Sequence, residues 1–85
     1  MSKFLKAAEE ARLEVEEAYM AWPTPMHSAH EGYGVLLEEV EELWAHVKTK
    51  QKNRDLAAMR KEAIQVAAMA LRFAVEVVDE GRGRE

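Results

Sequence analysis

Two short acidic segments contain the residues whose types and spacing could do chemistry. The first is the run Glu38-Glu39-Val40-Glu41-Glu42, and the second is Glu62 with Gln65 three positions later. Residues three or four apart share one face of a helix, so Glu39 and Glu42 are expected to lie side by side. A hard divalent cation such as Mg²⁺ or Mn²⁺ relieves the repulsion between carboxylates held in this way. The pattern predicts a metal site formed by Glu39, Glu42 and Glu62. Gln65 is expected to add a neutral carbonyl oxygen.

The alternative for such a segment is a solvated acidic face with no ligand. Glu39 and Glu62 each border an apolar stripe, which favours the site over the solvated face. The two segments converge only if the helices that carry them pack antiparallel. A purely structural helical dimerisation domain, in which the glutamates face water, stays open as an alternative.

Two prolines separate the first two of the three expected helices. Apolar residues recur at helical spacing over residues 2–22, and Pro23 and Pro25 are expected to end that helix. Ser28 and Glu31 form a capping-box pattern, which predicts the start of the second helix.

Two glycines fall in the first turns of the second helix. Gly32 and Gly34 each cost about 1 kcal/mol relative to alanine at a helical position. They are either tolerated substitutions or places where another backbone or a ligand comes close, and the sequence leaves both readings open.

The third helix is expected to start after Asn53 or Asp55 and to end near residue 80. It is apolar around most of its circumference, and we expect its polar strip to consist of Lys61, Glu62, Gln65, Arg72, Glu76 and Asp79. A helix of this breadth must be buried on more than one side. The predicted fold is therefore all-α, a three-helix chain that assembles into a helical bundle as a homodimer or homotetramer. Residues 1–80 are expected to form one domain, followed by a flexible tail at 81–85.

Composition excludes several classes of function. The chain has 85 residues, no cysteine and a formal charge of −4, so disulfides, thiolate zinc sites and a broad basic face for nucleic acid are not expected. The three histidines do not share one helix face, so no zinc site is expected from them. The longest apolar stretch is interrupted by charges and is too short to span a membrane. The plain prediction is a cytoplasmic protein.

The paired acidic motifs resemble a known family. The segments Glu39-Val40-Glu41-Glu42 and Glu62-Ala63-Ile64-Gln65 are similar to the Glu-x-x-Glu and Glu-x-x-Asp motifs of the MazG-like, all-α nucleoside triphosphate pyrophosphohydrolases. Glu38 matches the glutamate that precedes the first motif. The resemblance covers roughly residues 22–78 and departs from the family at Gln65, where the family has aspartate.

The resemblance implies Mg²⁺-dependent hydrolysis of a (deoxy)nucleoside triphosphate to a nucleoside monophosphate and pyrophosphate. It implies that Glu39, Glu42 and Glu62 bind the metal, and that Glu38 and Glu39 are the catalytic residues, with Glu38 binding metal or orienting the attacking water. Since Gln65 brings no negative charge, a catalytically weak nucleotide- or metal-binding module is the alternative.

Four further residues are candidates for binding the substrate. Lys61 and Arg72 could neutralise the triphosphate, and Trp22 and Trp44 could stack on the base. The alternatives are a solvated basic surface for the cations and packing in the core or a dimer interface for the tryptophans.

Overall fold

The computed structural model describes residues 2–84 and consists of three helices joined by short connections. Helix α1 spans Ser2–Ala21, α2 spans Ala29–Val47 and α3 spans Leu56–Arg72. Helix α3 continues without a break into a π-helical stretch, Phe73–Asp79. Residues 2–84 contain no strand, so the all-α prediction is confirmed. No helix in this part of the chain is long and apolar enough to cross a membrane.

Side-chain caps set the starts of the second and third helices. Ser28 accepts a hydrogen bond of 3.1 Å from the Glu31 N–H, as predicted. The Glu31 carboxylate lies 3.2 Å from His27 Nδ1. Asp55 is the cap of α3 and accepts a hydrogen bond of 3.1 Å from the Ala58 N–H. The two caps satisfy backbone donors that a helix start otherwise leaves free.

Helix α3 is the central element, since it packs against both α1 and α2. The connection at residues 48–55 is short, so α3 folds back antiparallel along α2. Arg54 holds this connection closed by donating hydrogen bonds to the carbonyl oxygens of Val47 and Thr49, at 2.6 and 3.2 Å.

The core of this arrangement is small. The buried apolar side chains within residues 2–84 are Ala11, Met26, Ala68, Met69 and Val77. Arg72 and Glu76 are buried beside them, with 8% and 1% of their surface exposed. The prediction that these two residues belong to a solvent-facing polar strip is therefore wrong. They are one helical turn apart and neutralise each other, and so a charged pair can occupy the inner face of α3.

The C-terminal residues that the structure describes fold back onto α3. The Arg82 guanidinium donates hydrogen bonds to the Glu76 carbonyl oxygen and to the Glu80 carboxylate, at 2.7 and 2.9 Å. The flexible tail at 81–85 stays a prediction. Its last residue, Glu85, and the first residue of the predicted domain, Met1, lie outside the described residues.

The two glycines of α2 have different surroundings, and replacing each by alanine should have opposite effects on stability. A Cβ at Gly32 would lie 2.8 Å from Phe73 Cδ2 and 3.1 Å from Met26 Sδ, whereas a Cβ at Gly34 would meet none of the described atoms within 4 Å. We expect Gly32→Ala to destabilise the protein by about 1–3 kcal/mol through overpacking. We expect Gly34→Ala to stabilise it by about 0.5–1 kcal/mol, because alanine favours helix. Urea denaturation of the two variants checks both signs, and equal effects would contradict the close contact at Gly32.

Candidate metal centre

Three glutamates from two helices meet on one side of the α2–α3 pair. Glu39 and Glu42 are one turn apart on α2, and Glu62 approaches them from α3. Each offers a carboxylate oxygen, and these oxygens all lie within 4.8 Å of one another. Among the residues that the structure describes, this is the one such group of three potential metal ligands. The structure thus brings together the three glutamates that the sequence predicted to meet.

The surroundings of Glu39 disfavour its charge. Burial raises the pKa of Glu39 to about 7, and the charge and hydrogen bond of Glu42 and the charges of Glu62 and Glu38 act in the same direction. Near neutral pH the Glu39 carboxyl group therefore holds its proton far more often than an ordinary glutamate does. A divalent cation would displace that proton, because metal ligands bind as carboxylates.

The pKa of Glu62 is raised as well, but two basic neighbours oppose the shift. Burial, together with the hydrogen bond and charge of Glu42, raises the pKa of Glu62, while His46 and Lys61 act in the opposite direction. His46 lies one turn beyond Glu42 on α2 and was not among the site residues expected from the sequence. Its spacing of four residues from Glu42 and seven from Glu39 was the available signal.

The pKa of Glu39 predicts how stability depends on pH. The value of about 7 in the folded chain compares with about 4.3 in an unfolded chain. The stabilisation that the proton on Glu39 provides is complete at a pH below the pKa of the unfolded chain. It is lost as the pH rises through the pKa of the folded chain.

We therefore expect the Tm of the metal-free protein to fall between about pH 5 and about pH 8. Glu39→Gln should flatten this fall, and Mg²⁺ or Mn²⁺ should restore Tm at the upper end. Glu41→Gln is the matched control, because Glu41 is exposed on the same helix. A Glu41→Gln profile that flattens as much as that of Glu39→Gln would contradict the assignment.

The other carboxylate and amide candidates lie at the margin of the group. Glu38 is exposed beside it and adds its charge to the field at Glu39. Gln65 is half-buried, and its amide nitrogen donates a hydrogen bond of 2.8 Å to Glu14 of α1. A metal-ligand role for Gln65 stays a prediction, and the amide would bind a cation only through its oxygen.

The four candidates for substrate binding are divided between different surfaces. Lys61 is exposed next to Glu62 and lines a cleft between α1 and α3. Trp22 and Arg72 line a different cleft, beside the connection between α1 and α2. Trp44 lies on α2, and 57% of its surface is exposed. Substrate binding by these residues stays a prediction.

Arg72 belongs to a buried polar cluster that ties α3 to the connection between α1 and α2. Its guanidinium donates two hydrogen bonds to the Glu76 carboxylate, at 2.6 and 3.0 Å, and one of 3.0 Å to the Thr24 carbonyl oxygen. Glu76 also accepts hydrogen bonds from the Tyr19 hydroxyl and, at 2.7 Å, from the Met26 N–H. The Arg72 guanidinium lies 4.8 Å from the centre of the Tyr19 ring. An arginine four residues before a glutamate in an apolar helix was the sequence signal for this pair.

The charge of Glu76 is stabilised within that cluster. Burial alone raises the pKa of Glu76, but the hydrogen bonds from Arg72, Tyr19 and Met26 and the Arg72 charge outweigh it, and the pKa lies below its ordinary value. Burial and the Glu76 carboxylate raise the pKa of Tyr19. No buried polar side-chain atom within residues 2–84 lacks a hydrogen-bond partner.

Comparison with protein-family models, curated proteins and solved structures found no match for this chain. The resemblance to the MazG-like family therefore stays an expectation from the motifs. What the chain does is inferred below from its own residues.

Proposed function

We propose that this protein hydrolyses (deoxy)nucleoside triphosphates to a nucleoside monophosphate and pyrophosphate in a reaction that requires Mg²⁺ or Mn²⁺. The observation that best supports the proposal is the meeting of Glu39, Glu42 and Glu62, whose carboxylate oxygens lie within 4.8 Å of one another. Their spacing in the sequence is also that of the MazG-like motifs. Clearance of unwanted nucleotides in the cytoplasm is the biological role that goes with this activity.

The donor set fits a hard divalent cation. A carboxylate oxygen binds Mg²⁺ at about 2.0–2.1 Å, so two oxygens on one ion can be at most about 4.2 Å apart. The three carboxylate oxygens lie within 4.8 Å of one another, so small rotations of Glu39, Glu42 and Glu62 would bring them within reach of one ion. When bound, the ion would neutralise charge on the phosphates.

The carboxylates also supply a group that can accept a proton from water. Glu39 has two carboxylate oxygens, so one could bind the ion while the other accepts a proton from the attacking water. Glu38 is exposed beside it and is the second candidate to orient the attacking water. Lys61, exposed next to Glu62, is the nearest candidate in sequence to contact the triphosphate.

One observation favours a second candidate function, a nucleotide- or metal-binding module with weak catalysis. Gln65 stands where the resembling family has aspartate, and its amide is held by Glu14 through a hydrogen bond of 2.8 Å. The site therefore carries one negative charge fewer than the family pattern, which weakens the binding of further cations. Metal binding without turnover distinguishes this function from the first.

A product assay tests the proposal. The purified protein is incubated with canonical and modified (deoxy)nucleoside triphosphates and Mg²⁺ or Mn²⁺, and monophosphate, diphosphate, pyrophosphate and orthophosphate are measured. We expect monophosphate and pyrophosphate in equal amounts, and no product when the metal is chelated. Diphosphate with orthophosphate would contradict the bond assigned, and metal binding without product across the panel would favour the binding module.

A further inference from the structure

One end of the molecule carries most of its positive charge. Residues 2–7 and 48–61 contain eight Lys and Arg side chains and one Asp, whereas the rest of the chain contains four Lys and Arg and fifteen Asp and Glu. We name these two segments together the basic end. It holds every lysine of a chain whose formal charge is −4: Lys3, Lys6, Lys48, Lys50, Lys52 and Lys61.

The fold brings the two segments of the basic end together, although they lie far apart in the sequence. Helices α1 and α3 run parallel, since the contacts between them advance together from the Glu10–Arg60 pair to the Tyr19–Glu76 pair. The first turns of α1 lie about 10 Å before the first of these pairs, level with the connection at residues 48–55. The molecule measures 28 by 24 Å across its two shorter axes, so the two segments form one surface. Residues of both line one cleft: Lys3, Phe4, Lys6, Ala7 and Arg60.

Most positive charges of the basic end have no anionic partner within the described chain. The six lysines are all exposed, and none of them forms an ion pair within residues 2–84. Arg54 donates its hydrogen bonds to carbonyl oxygens, which leave its charge uncompensated. Arg60 pairs with Glu10 at 2.5 Å, and Asp55 is engaged as the cap of α3. The end therefore presents a positive potential to an outside partner.

Large apolar side chains lie exposed among these cations. Phe4 and Leu5 are 78% and 65% exposed, and Leu56 at the start of α3 is 67% exposed. Phe4 lies two helical turns before the buried Ala11 and therefore on the same side of α1, yet the described chain leaves it uncovered. Lysine together with exposed phenylalanine and leucine is the composition of surfaces that attach to a membrane interface.

We infer that the basic end binds the surface of a membrane that contains anionic lipids. The lysines lie near the lipid phosphates, and Phe4 and Leu5 enter the boundary between the headgroups and the acyl chains. A group of about four to eight basic residues beside such a surface is typical of proteins that recognise anionic lipids. Attachment of this kind requires no segment that spans the bilayer.

The chemistry of the basic end favours a lipid surface over a nucleic acid. Leu5 and Leu56 have no ring that could stack on a base, whereas burial among acyl chains stabilises aliphatic side chains. Six of the eight cations are lysines, and the bidentate contacts that specify phosphate sites come mainly from arginine. The two arginines of the basic end are already engaged, Arg54 with carbonyl oxygens and Arg60 with Glu10.

The acidic remainder of the chain sets the orientation of this contact. Glu62, which marks the level of the three-glutamate group, lies about 9 Å along α3 from Leu56. The Debye length at physiological ionic strength is about 8 Å, so repulsion between that group and the lipid phosphates is largely screened. Turning the molecule around would bring the acidic remainder against the lipid. The inference rests on this charge distribution and does not depend on the proposed hydrolysis.

Co-sedimentation with lipid vesicles tests the inference without any nucleotide. The wild-type protein should bind vesicles of equal parts phosphatidylcholine and phosphatidylglycerol, and should not bind vesicles of phosphatidylcholine alone. Binding should weaken steeply as sodium chloride is raised to about 1 M, where the Debye length falls to about 3 Å. Equal binding to both kinds of vesicle, or binding to neither, would overturn the inference.

Two matched pairs of variants test the charge and the apolar insertion separately. Lys52→Gln should weaken binding about fivefold, the effect of one lysine near an anionic surface. Arg84→Gln removes one charge at the opposite end, where the residue is exposed, and should leave binding unchanged. Phe4→Ala should weaken binding about tenfold through lost apolar burial. Met20→Ala, at a position 87% exposed on the same helix, should leave binding unchanged.

Circular dichroism confirms that each variant is folded before its binding is compared. Equal effects of the two variants within either pair would overturn the inference. Tighter binding of a single-stranded oligonucleotide than of the vesicles, weakened by Lys52→Gln, would assign the basic end to nucleic acid and overturn it as well. If Phe4→Ala lowers the mass in sedimentation equilibrium and leaves vesicle binding unchanged, Phe4 belongs to a contact between copies, and insertion into lipid is wrong.

Discussion

Replacing Glu42 by alanine is expected to lower metal-dependent hydrolysis of nucleotides by at least about 100-fold, since loss of even an outer-sphere partner of a metal costs 10- to 100-fold. Glu42 is the member of the group that is hydrogen-bonded to both of the others. Its charge and hydrogen bond act on Glu39 and on Glu62. Its loss therefore removes one of the three proposed ligands and the hydrogen-bonded contact between α2 and α3 at the site.

Glu41→Ala is the matched control for this experiment. Glu41 is the adjacent glutamate on α2, and it is exposed and outside the group of three. Activity with Mg²⁺ and metal affinity are measured for both variants, with circular dichroism as a check of the fold. A Glu42→Ala protein that keeps wild-type activity would show that the group of three glutamates does not take part in hydrolysis. An equal loss of activity in Glu41→Ala would show the same.

The second large effect is expected in the π-helical stretch that follows α3. Glu76→Ala should lower the free energy of unfolding by about 3–5 kcal/mol, the cost of leaving one member of a buried ion pair alone. The change leaves the Arg72 guanidinium buried without its carboxylate. It also removes the acceptor of the Tyr19 hydroxyl and of the Met26 N–H. Small domains have a total stability of about 5–15 kcal/mol, so much of the fold's stability depends on this carboxylate.

Urea denaturation measures the change in the free energy of unfolding, and two further variants serve as comparisons. Glu9→Ala breaks an exposed ion pair with Arg12 on α1 and should have little effect, because water already solvates both groups. Arg72→Met combined with Glu76→Leu replaces the buried pair by apolar side chains, so no buried charge is left unpaired. It should recover part of the loss, since the Tyr19 hydroxyl and the Met26 N–H remain without their acceptor. A Glu76→Ala protein as stable as Glu9→Ala would show that the buried cluster contributes little.

The Glu76 carboxylate also makes the stability of the wild-type protein depend on pH in the acidic range. The pKa of Glu76 lies below its ordinary value in the folded chain. Its contribution is therefore complete above the unfolded value, about 4.3, and is lost as pH falls through the lower, folded value. This window lies below the one assigned to Glu39, so a stability profile across pH separates the two groups.

Local patterns in the sequence were sufficient to predict the helices and their starts. Ser28 caps α2 as predicted, and Asp55, one of the two candidates, caps α3. Caps are predictable because they depend on residues only three positions apart. The meeting of Glu39 and Glu62 was also predictable. Both border apolar stripes, and a short connection forces the helices that carry them to pack antiparallel.

Features that depend on non-local packing were not predictable in the same way. Helical periodicity placed Arg72 and Glu76 on a polar strip because both residues are charged. Periodicity carries no information about whether two opposite charges are buried together. The amide of Gln65 turns to Glu14, a partner 51 positions away. Gly32 and Gly34 are alike in sequence, and the side chains of Phe73 and Met26, which approach only Gly32, distinguish them.

The most direct test of the proposed metal centre is a crystal structure of the protein with Mn²⁺ and a non-hydrolysable nucleoside triphosphate, with data collected at the manganese absorption edge. Carboxylate oxygens bind such ions at about 2.0–2.2 Å. We predict an anomalous peak at that distance from Glu39, Glu42 and Glu62, with phosphate oxygens of the nucleotide bound to the same ion. Bound nucleotide with the manganese peak away from these three glutamates would contradict it.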